Sequence, residues 1–293
     1  MNGNFSGTGV ALITPFKSDL TIDFEALKTI TERCITGGCE FLVILGTTGE
    51  SVVLSHEEKK EVINTILTVN NKRRPTVLGI GGNDTAAVIS QVKGVPEGID
   101  AILSVTPYYN KPSQEGLYQH YKAVCEASPI PVILYNVPGR TGVNMTADTT
   151  LRIINDCPNA IAIKEASGNA DQCFKIMMNA PKGFVLLSGD DNMTLPLIAL
   201  GAKGVISTVA NTVPATYSEM VRKSLSGDYA EARRLHGLTF ELVNQIFADG
   251  SPAGVKEALA YQGICLRNVR LPLARVNDTV AQNIKHQIDF IKE

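Results

Sequence analysis

Three observations predict an α/β protein: an eight-stranded parallel β/α barrel (a TIM barrel) with a C-terminal helical extension. Eight short apolar runs recur along the 293 residues, and their starts lie 20 to 35 residues apart. Segments with helical periodicity fill the gaps, so strand and helix alternate throughout. The turn after the first run is Thr14-Pro15-Phe16. An open doubly wound sheet that binds a nucleotide calls for a glycine-rich turn there, which disfavours that architecture.

The strands are expected at Val10 to Ile13, Phe41 to Leu45, Thr76 to Gly79, Ala101 to Val105, Val132 to Tyr135, Ile161 to Lys164, Phe184 to Leu187 and Gly204 to Ser207. Helix start signals stand between them. Asp23 precedes Phe24, Leu27, Ile30 and Cys34; Ser55 and Glu58 form a capping-box pattern before Val62, Ile66 and Val69. Thr146 and Asn169 precede two further periodic segments, and Gly201 closes the one that holds Leu197 and Leu200. From about Pro214 the strand signals stop. Helices are expected at Pro214 to Ser224, Asp228 to Phe247, Pro252 to Gln262 and Asn277 to Lys292, the last carrying Val280, Ile284 and Ile288 on one face. The chain thus divides into a barrel over 1–213 and a helical region over 214–293 that includes the end of the barrel's last helix.

With 44% hydrophobic residues, a chain of this length buries a large core without metal or disulfide staples. Lys and Arg number 27 against 29 Asp and Glu, and no basic stripe is present, which argues against nucleic acid as a partner. The six cysteines include no CxxC pair and the four histidines lie far apart, so no structural zinc site is expected. No apolar stretch approaches the length of a membrane span, and Met1 to Val10 lacks the features of an export signal. A reduced, cytoplasmic protein is the simplest expectation.

In such a barrel the reacting groups collect at the carboxyl ends of the strands. Lys164 closes the run Ala160-Ile161-Ala162-Ile163. Strict alternation puts Ala160, Ala162 and Lys164 on one face and Ile161, Ile163 and Glu165 on the other. A lysine above two small side chains has room for a substrate, and its amine reads as a nucleophile for a carbonyl. The competing reading is a lysine paired with a carboxylate or extended to the rim. Tyr135 ends the preceding strand, close enough for a phenol to pass protons to and from the reacting carbon. Thr47 and Thr48, in Gly46-Thr47-Thr48-Gly49-Glu50, are either plain turn residues or hydroxyls suited to a carboxylate or a proton relay. Arg140 offers a planar fork for a carboxylate, and Tyr108 with Tyr109 suits packing or an interface. Gly79-Ile80-Gly81-Gly82-Asn83 is only a weak match to a phosphate loop.

Taken together, GTTGE at 46–50, VTPYYNKPSQEGLYQHY at 105–121, YNVPGRTG at 135–142, IKEASGN at 163–169, SGDD at 188–191 and GVIS at 204–207 resemble the dihydrodipicolinate synthase family. That family lies within the pyruvate-dependent class I aldolases, which include N-acetylneuraminate lyase. The resemblance implies a lyase of lysine and diaminopimelate biosynthesis, in which Lys164 forms a Schiff base with pyruvate. The enamine then attacks aspartate semialdehyde before the product cyclises. It implies a proton relay of Tyr135, Thr47 and a Tyr109 from a neighbouring subunit. Thr48 would hold the pyruvyl carboxylate and Arg140 that of the aldehyde, while the Gly189 and Ile206 backbones line the pocket. A homotetramer built as a dimer of dimers is implied as well.

Ser51, His56, Asn83 and Tyr108 match the pocket where lysine inhibits many members, but Lys59 and Ala87 replace a usual histidine and glutamate. An added cation and a missing carboxylate both disfavour a cationic effector, so little lysine feedback is expected. The segment Ser251-Pro252-Ala253-Gly254-Val255-Lys256 departs from the usual Asn-Pro-Ile-Pro-Val-Lys, which bears on how the tail packs. Two other readings compete: an aldolase that releases pyruvate from a 2-keto-3-deoxy sugar acid or N-acetylneuraminate, and a non-catalytic keto-acid-binding barrel. Arg140 speaks against the first, and Lys164 with Tyr135 and Thr47 against the second.

Overall fold

In the computed structural model, which describes residues 5–291, eight parallel strands close into a barrel in chain order. They are β1 (Gly7–Ala11), β2 (Phe41–Ile44), β3 (Thr76–Gly79), β4 (Ala101–Val105), β5 (Val132–Asn136), β6 (Ala160–Glu165), β7 (Val185–Ser188) and β8 (Gly204–Ser207). The helices in chain order are α1 (Phe24–Thr36), α2 (His56–Asn70), α3 (Thr85–Lys93), α4 (Gln114–Ala127), the single turn α5 (Pro138–Thr141), α6 (Ala147–Asp156), α7 (Ala170–Asn179), α8 (Thr194–Ala199), α9 (Pro214–Leu225), α10 (Tyr229–Ala248), α11 (Ala253–Tyr261) and α12 (Asp278–Ile291). The predicted caps act as such. Asp23, Ser55, Thr146 and Asn169 each accept a backbone N–H of the first turn, and Glu58 returns the bond to the Ser55 N–H at 2.9 Å. The predicted end of the last helix, Lys292, lies outside the described residues.

Two expectations are corrected. The first strand runs over Gly7–Ala11 rather than Val10 to Ile13, because close approach and not hydropathy selects its residues. A Cβ on Gly9 would stand 2.1 Å from the Phe41 ring, so only glycine lets that ring fill the barrel there. Strict alternation also fails at the start of β6. A register shift opposite Val132/Ile133 turns Ile161 toward the interior and Ala160 outward. Alternation resumes after it, with Ala162 inside and Ile163 in the outer layer.

The barrel interior is a stack of side chains including Phe41, Val43, Leu103, Ile133, Ala162, Leu187 and Ile206, with Phe5 edge-on against Phe41 at 5.5 Å between ring centres. A second apolar layer lies between the strands and the helices. α9 packs on β1 and β8 as the barrel's eighth helix, α10 packs on α9, and α10, α11 and α12 pack on one another. Among the described residues no helix is long and apolar enough to cross a membrane.

Candidate active site

Strand pairing sets Tyr135 of β5 opposite Lys164 of β6. The lysine Nζ sits 4.5 Å from the centre of the tyrosine ring. Lys164 is 6% exposed, and among the described residues no carboxylate pairs with it. Neither the rim-seeking nor the ion-paired lysine is what the fold contains. Room for this side chain comes from β7's end: a Cβ on Gly189 would stand 3.1 Å from Lys164 Cε and 2.5 Å from Ala166 Cβ.

Glu165 faces away from the barrel axis and holds the strand ends together. Its buried carboxylate accepts from Asn136 Nδ2 at 3.0 Å, the Ser167 N–H at 2.7 Å and Gln172 Nε2 at 3.0 Å. β5, β6 and α7 are thereby tied together on the outer side of the barrel, next to Tyr135 and Lys164. Strand alternation alone puts Glu165 on the outer face and implies no task for it. A carboxylate ending an apolar strand run was the available signal, since such a group is seldom buried without partners.

Above Lys164 opens a cavity of about 460 Å³, lined by Thr47, Thr48, Tyr135, Arg140, Lys164 and Gly189 together with apolar Ala11, Val43, Leu103 and Val137. Thr47 and Thr48 begin a 3₁₀ turn, Thr47–Gly49, that follows β2. The residues flanking it, Leu45 and Glu50, both adopt the left-handed region, at φ 56° and 52°. Arg140 projects from α5, and among the described residues its guanidinium makes no ion pair. Two acids also line the cavity, but both are engaged by backbone N–H groups. Asp190 accepts from Asn192 at 2.9 Å, and Asp191 accepts from Thr208 at 3.1 Å and Val209 at 3.0 Å. Burial pushes the Asp191 carboxyl above its ordinary pKa, and the hydrogen bonds from Ser207, Val209 and Thr208 oppose this.

The cavity therefore gathers six of the eight residues expected at the reaction centre. Ile206 belongs to the interior stack below and does not line the cavity. Tyr109 turns away from it, 88% exposed at φ 75°. The effector set stands apart. Ser51, Tyr108 and Lys59 line a neighbouring cavity of about 400 Å³ that shares Thr47, Tyr135 and Arg140 as its wall. His56 lines a third with Lys59, Asn83 donates to the Tyr108 carbonyl at 3.3 Å, and Ala87 is exposed on α3.

Sequence reasoning missed one whole wall. Val243, Asn244, Phe247 and Ala248 of α10 line the cavity, and Asn244 Oδ1 accepts from Asn192 Nδ2 at 2.9 Å. Nothing in the helical pattern of α10 distinguishes a residue facing a cavity from one facing solvent. Among the described residues no cluster of three His, Cys, Asp or Glu side chains is gathered that could hold a metal ion.

A buried free amine beside a phenol, two hydroxyls and an unpaired guanidinium can condense with a carbonyl compound that carries a carboxylate. Comparison with known proteins agrees with this chemistry. The model of the dihydrodipicolinate synthetase family matches residues 4–290. The chain belongs to that family. Within it, the 4-hydroxy-tetrahydrodipicolinate synthase of Parabacteroides distasonis is 51% identical over 283 residues, covering 96% of this chain and 95% of the relative. The synthase of Flavobacterium psychrophilum is 50% identical over 281 residues, 96% of each chain. Among solved dihydrodipicolinate synthases, the chloride-inhibited enzyme of Acinetobacter baumannii complexed with pyruvate superposes with a TM-score of 0.95 at 39% identity, covering 98% of this chain and 99% of the other. A monomeric variant of the synthase superposes equally, with a TM-score of 0.95 at 34% identity, covering 98% and 97%. As a dihydrodipicolinate synthetase family member the chain is an enzyme of the class I aldolase type.

Proposed function

We propose that the chain condenses pyruvate with L-aspartate 4-semialdehyde to 4-hydroxy-tetrahydrodipicolinate, the step its relatives are named for, in lysine and diaminopimelate biosynthesis. The observation that carries this reading is Lys164: buried, unpaired with any acid, and against the Tyr135 ring in a cavity. Its amine adds to the ketone carbon of pyruvate, and loss of water leaves an imine that no separate cofactor need assist. Removal of a methyl proton gives the enamine, whose terminal carbon bonds to the aldehyde carbon of the second substrate. Ring closure by that substrate's own amine displaces Lys164, so the one water lost is that of imine formation. Both substrates carry carboxylates. Thr48 and the turn around it receive the first, and Arg140, on another loop, receives the second.

Proton transfers in this scheme run through Tyr135, Thr47 and Tyr109. Tyr109 is supplied by a neighbouring copy, which suits its 88% exposure and its orientation away from the chain's own cavity. We take the working form to be a cytoplasmic homotetramer arranged as a dimer of dimers. Lysine feedback is weak or absent, because Lys59 faces the cavity that holds Ser51 and Tyr108. An inhibition constant for lysine below about 1 mM would overturn that point. The test of the reaction is borohydride reduction with pyruvate present, followed by peptide mass mapping. The peptide bearing Lys164 gains a reduced pyruvyl group in the native enzyme and none in Lys164→Ala. Turnover with Lys164 left unmodified would end the proposal.

A further inference from the structure

The turn that presents Thr47 and Thr48 is held from behind by the C-terminal helical region, through a charge pair sealed from solvent. Glu50 closes the turn, and Lys256 of α11 donates to its Oε1 at 2.5 Å. Lys256 is 0% exposed and Glu50 is buried beside it. The same ammonium donates to the Asn268 carbonyl at 2.9 Å and stands 4.0 Å from the centre of the Phe16 ring. The other Glu50 oxygen accepts from the Arg270 N–H at 3.0 Å.

Two features make this more than packing. Leu45 and Glu50, both non-glycine, are in the left-handed region on either side of the turn, a conformation that persists only when surrounding contacts hold it. Glu50's carboxylate is one such contact, since both its oxygens are taken up by residues more than 200 positions away in the chain. Secondly, α11 is set unusually close to α10. A Cβ on Gly254 would stand 2.2 Å from the Ile246 carbonyl oxygen, so glycine seats the helix that carries Lys256.

On the reading given under Proposed function, we propose that Lys256 is a positioning residue: through Glu50 it fixes the 46–50 turn, and with it the hydroxyls that receive pyruvate and relay protons. Arg140 sits on a different loop, after β5, outside this linkage. The consequence is selective. Loosening the pair impairs pyruvate binding and leaves the aldehyde's binding unchanged.

The experiment compares wild type, Lys256→Met and the charge-free double variant Glu50→Gln/Lys256→Met in steady-state assays with each substrate varied. Lys256→Met leaves Glu50 without its cation and is the variant more exposed to misfolding. The double variant buries no lone charge and carries the test if the single one fails to fold. In the double variant KM for pyruvate rises about tenfold while KM for the aldehyde stays within about twofold. A structural role alone would lower the active fraction, seen in kcat, and move neither KM. A folded double variant with both KM values within about twofold of wild type overturns the assignment. Borohydride labelling of wild type is the separate control: if Lys164 is not labelled there, the catalytic reading fails, whatever the double variant does.

Discussion

The two faces of the 46–50 turn use cations in opposite ways. On the cavity face, Lys164 and Arg140 have no acidic partner among the described residues. Behind the turn, Lys256 pairs with Glu50 and also bonds the Asn268 carbonyl, while Arg270 grips both Glu58 oxygens at 2.7 Å and 2.5 Å and reaches the Leu20 and Val53 carbonyls. A buried charge that contributes only to the fold is expected to have its donors satisfied, because desolvation is otherwise uncompensated. Arg140 is exposed and stays solvated while unpaired, so it is Lys164, buried at the cavity without an acid, that is left for something that arrives later. For substrates with two carboxylates and a ketone, the unsatisfied side is the reactive one.

Removing each buried lysine puts that contrast to its hardest test. Lys164→Ala should lower kcat/KM by about 10³-fold or more, with a urea midpoint close to that of wild type. Lys256→Met should instead cost about 3–5 kcal/mol of stability, because it strands the Glu50 carboxylate in the interior. Equal losses of stability in the two variants would erase the distinction between the faces. Next in size is Arg140→Ala, expected to raise KM for aspartate semialdehyde by about 10- to 100-fold, as loss of a charge-assisted contact worth ~1.5–3 kcal/mol predicts. Pyruvate labelling of Lys164 should persist in that variant. If labelling is lost as well, Arg140 serves pyruvate, and the division of the two carboxylates between the loops is wrong.

The contrast also marks how far the sequence could be read. Lys164, Tyr135, Thr47, Thr48 and Arg140 were legible because each stands at the carboxyl end of a strand or on the loop just after it, where a barrel gathers its chemistry. β1 was misplaced because glycine carries no hydropathy signal, although Gly9 is needed for the fit of Phe41. The inward turn of Ile161 depends on a register shift against β5, which no local pattern encodes. The wall from α10 and the pair between Glu50 and Lys256 were out of reach for a related reason. They join residues far apart in sequence, and single-chain periodicity is silent about which distant faces meet. What the sequence did offer was a hint: the departure at Gly254 falls where α11 rests on the Ile246 carbonyl.

The smallest effect expected is on alkaline stability, and it probes the satisfied face alone. Burial holds the Lys256 pKa below the 10.5 of a solvated lysine, with Glu50 opposing that shift. Between the lowered folded value and 10.5, the unfolded chain keeps a proton that the native state has released, so this group adds stability as pH rises through that window. Buried acids work the other way. Burial raises Tyr121, Tyr217 and Cys125, and takes Cys265 to about 12, so their contributions are lost as pH climbs. Wild type should therefore lose stability in alkali, but less steeply than Glu50→Gln/Lys256→Met, which retains those acids and lacks the compensating lysine. Urea midpoints of both proteins from neutral pH toward 10.5 read the difference directly. Superimposable curves, or a steeper loss in wild type, would mean that Lys256 is not strained by its burial. The ion pair would then satisfy it completely, and the reserve that sets the two faces apart would lie in the cavity alone.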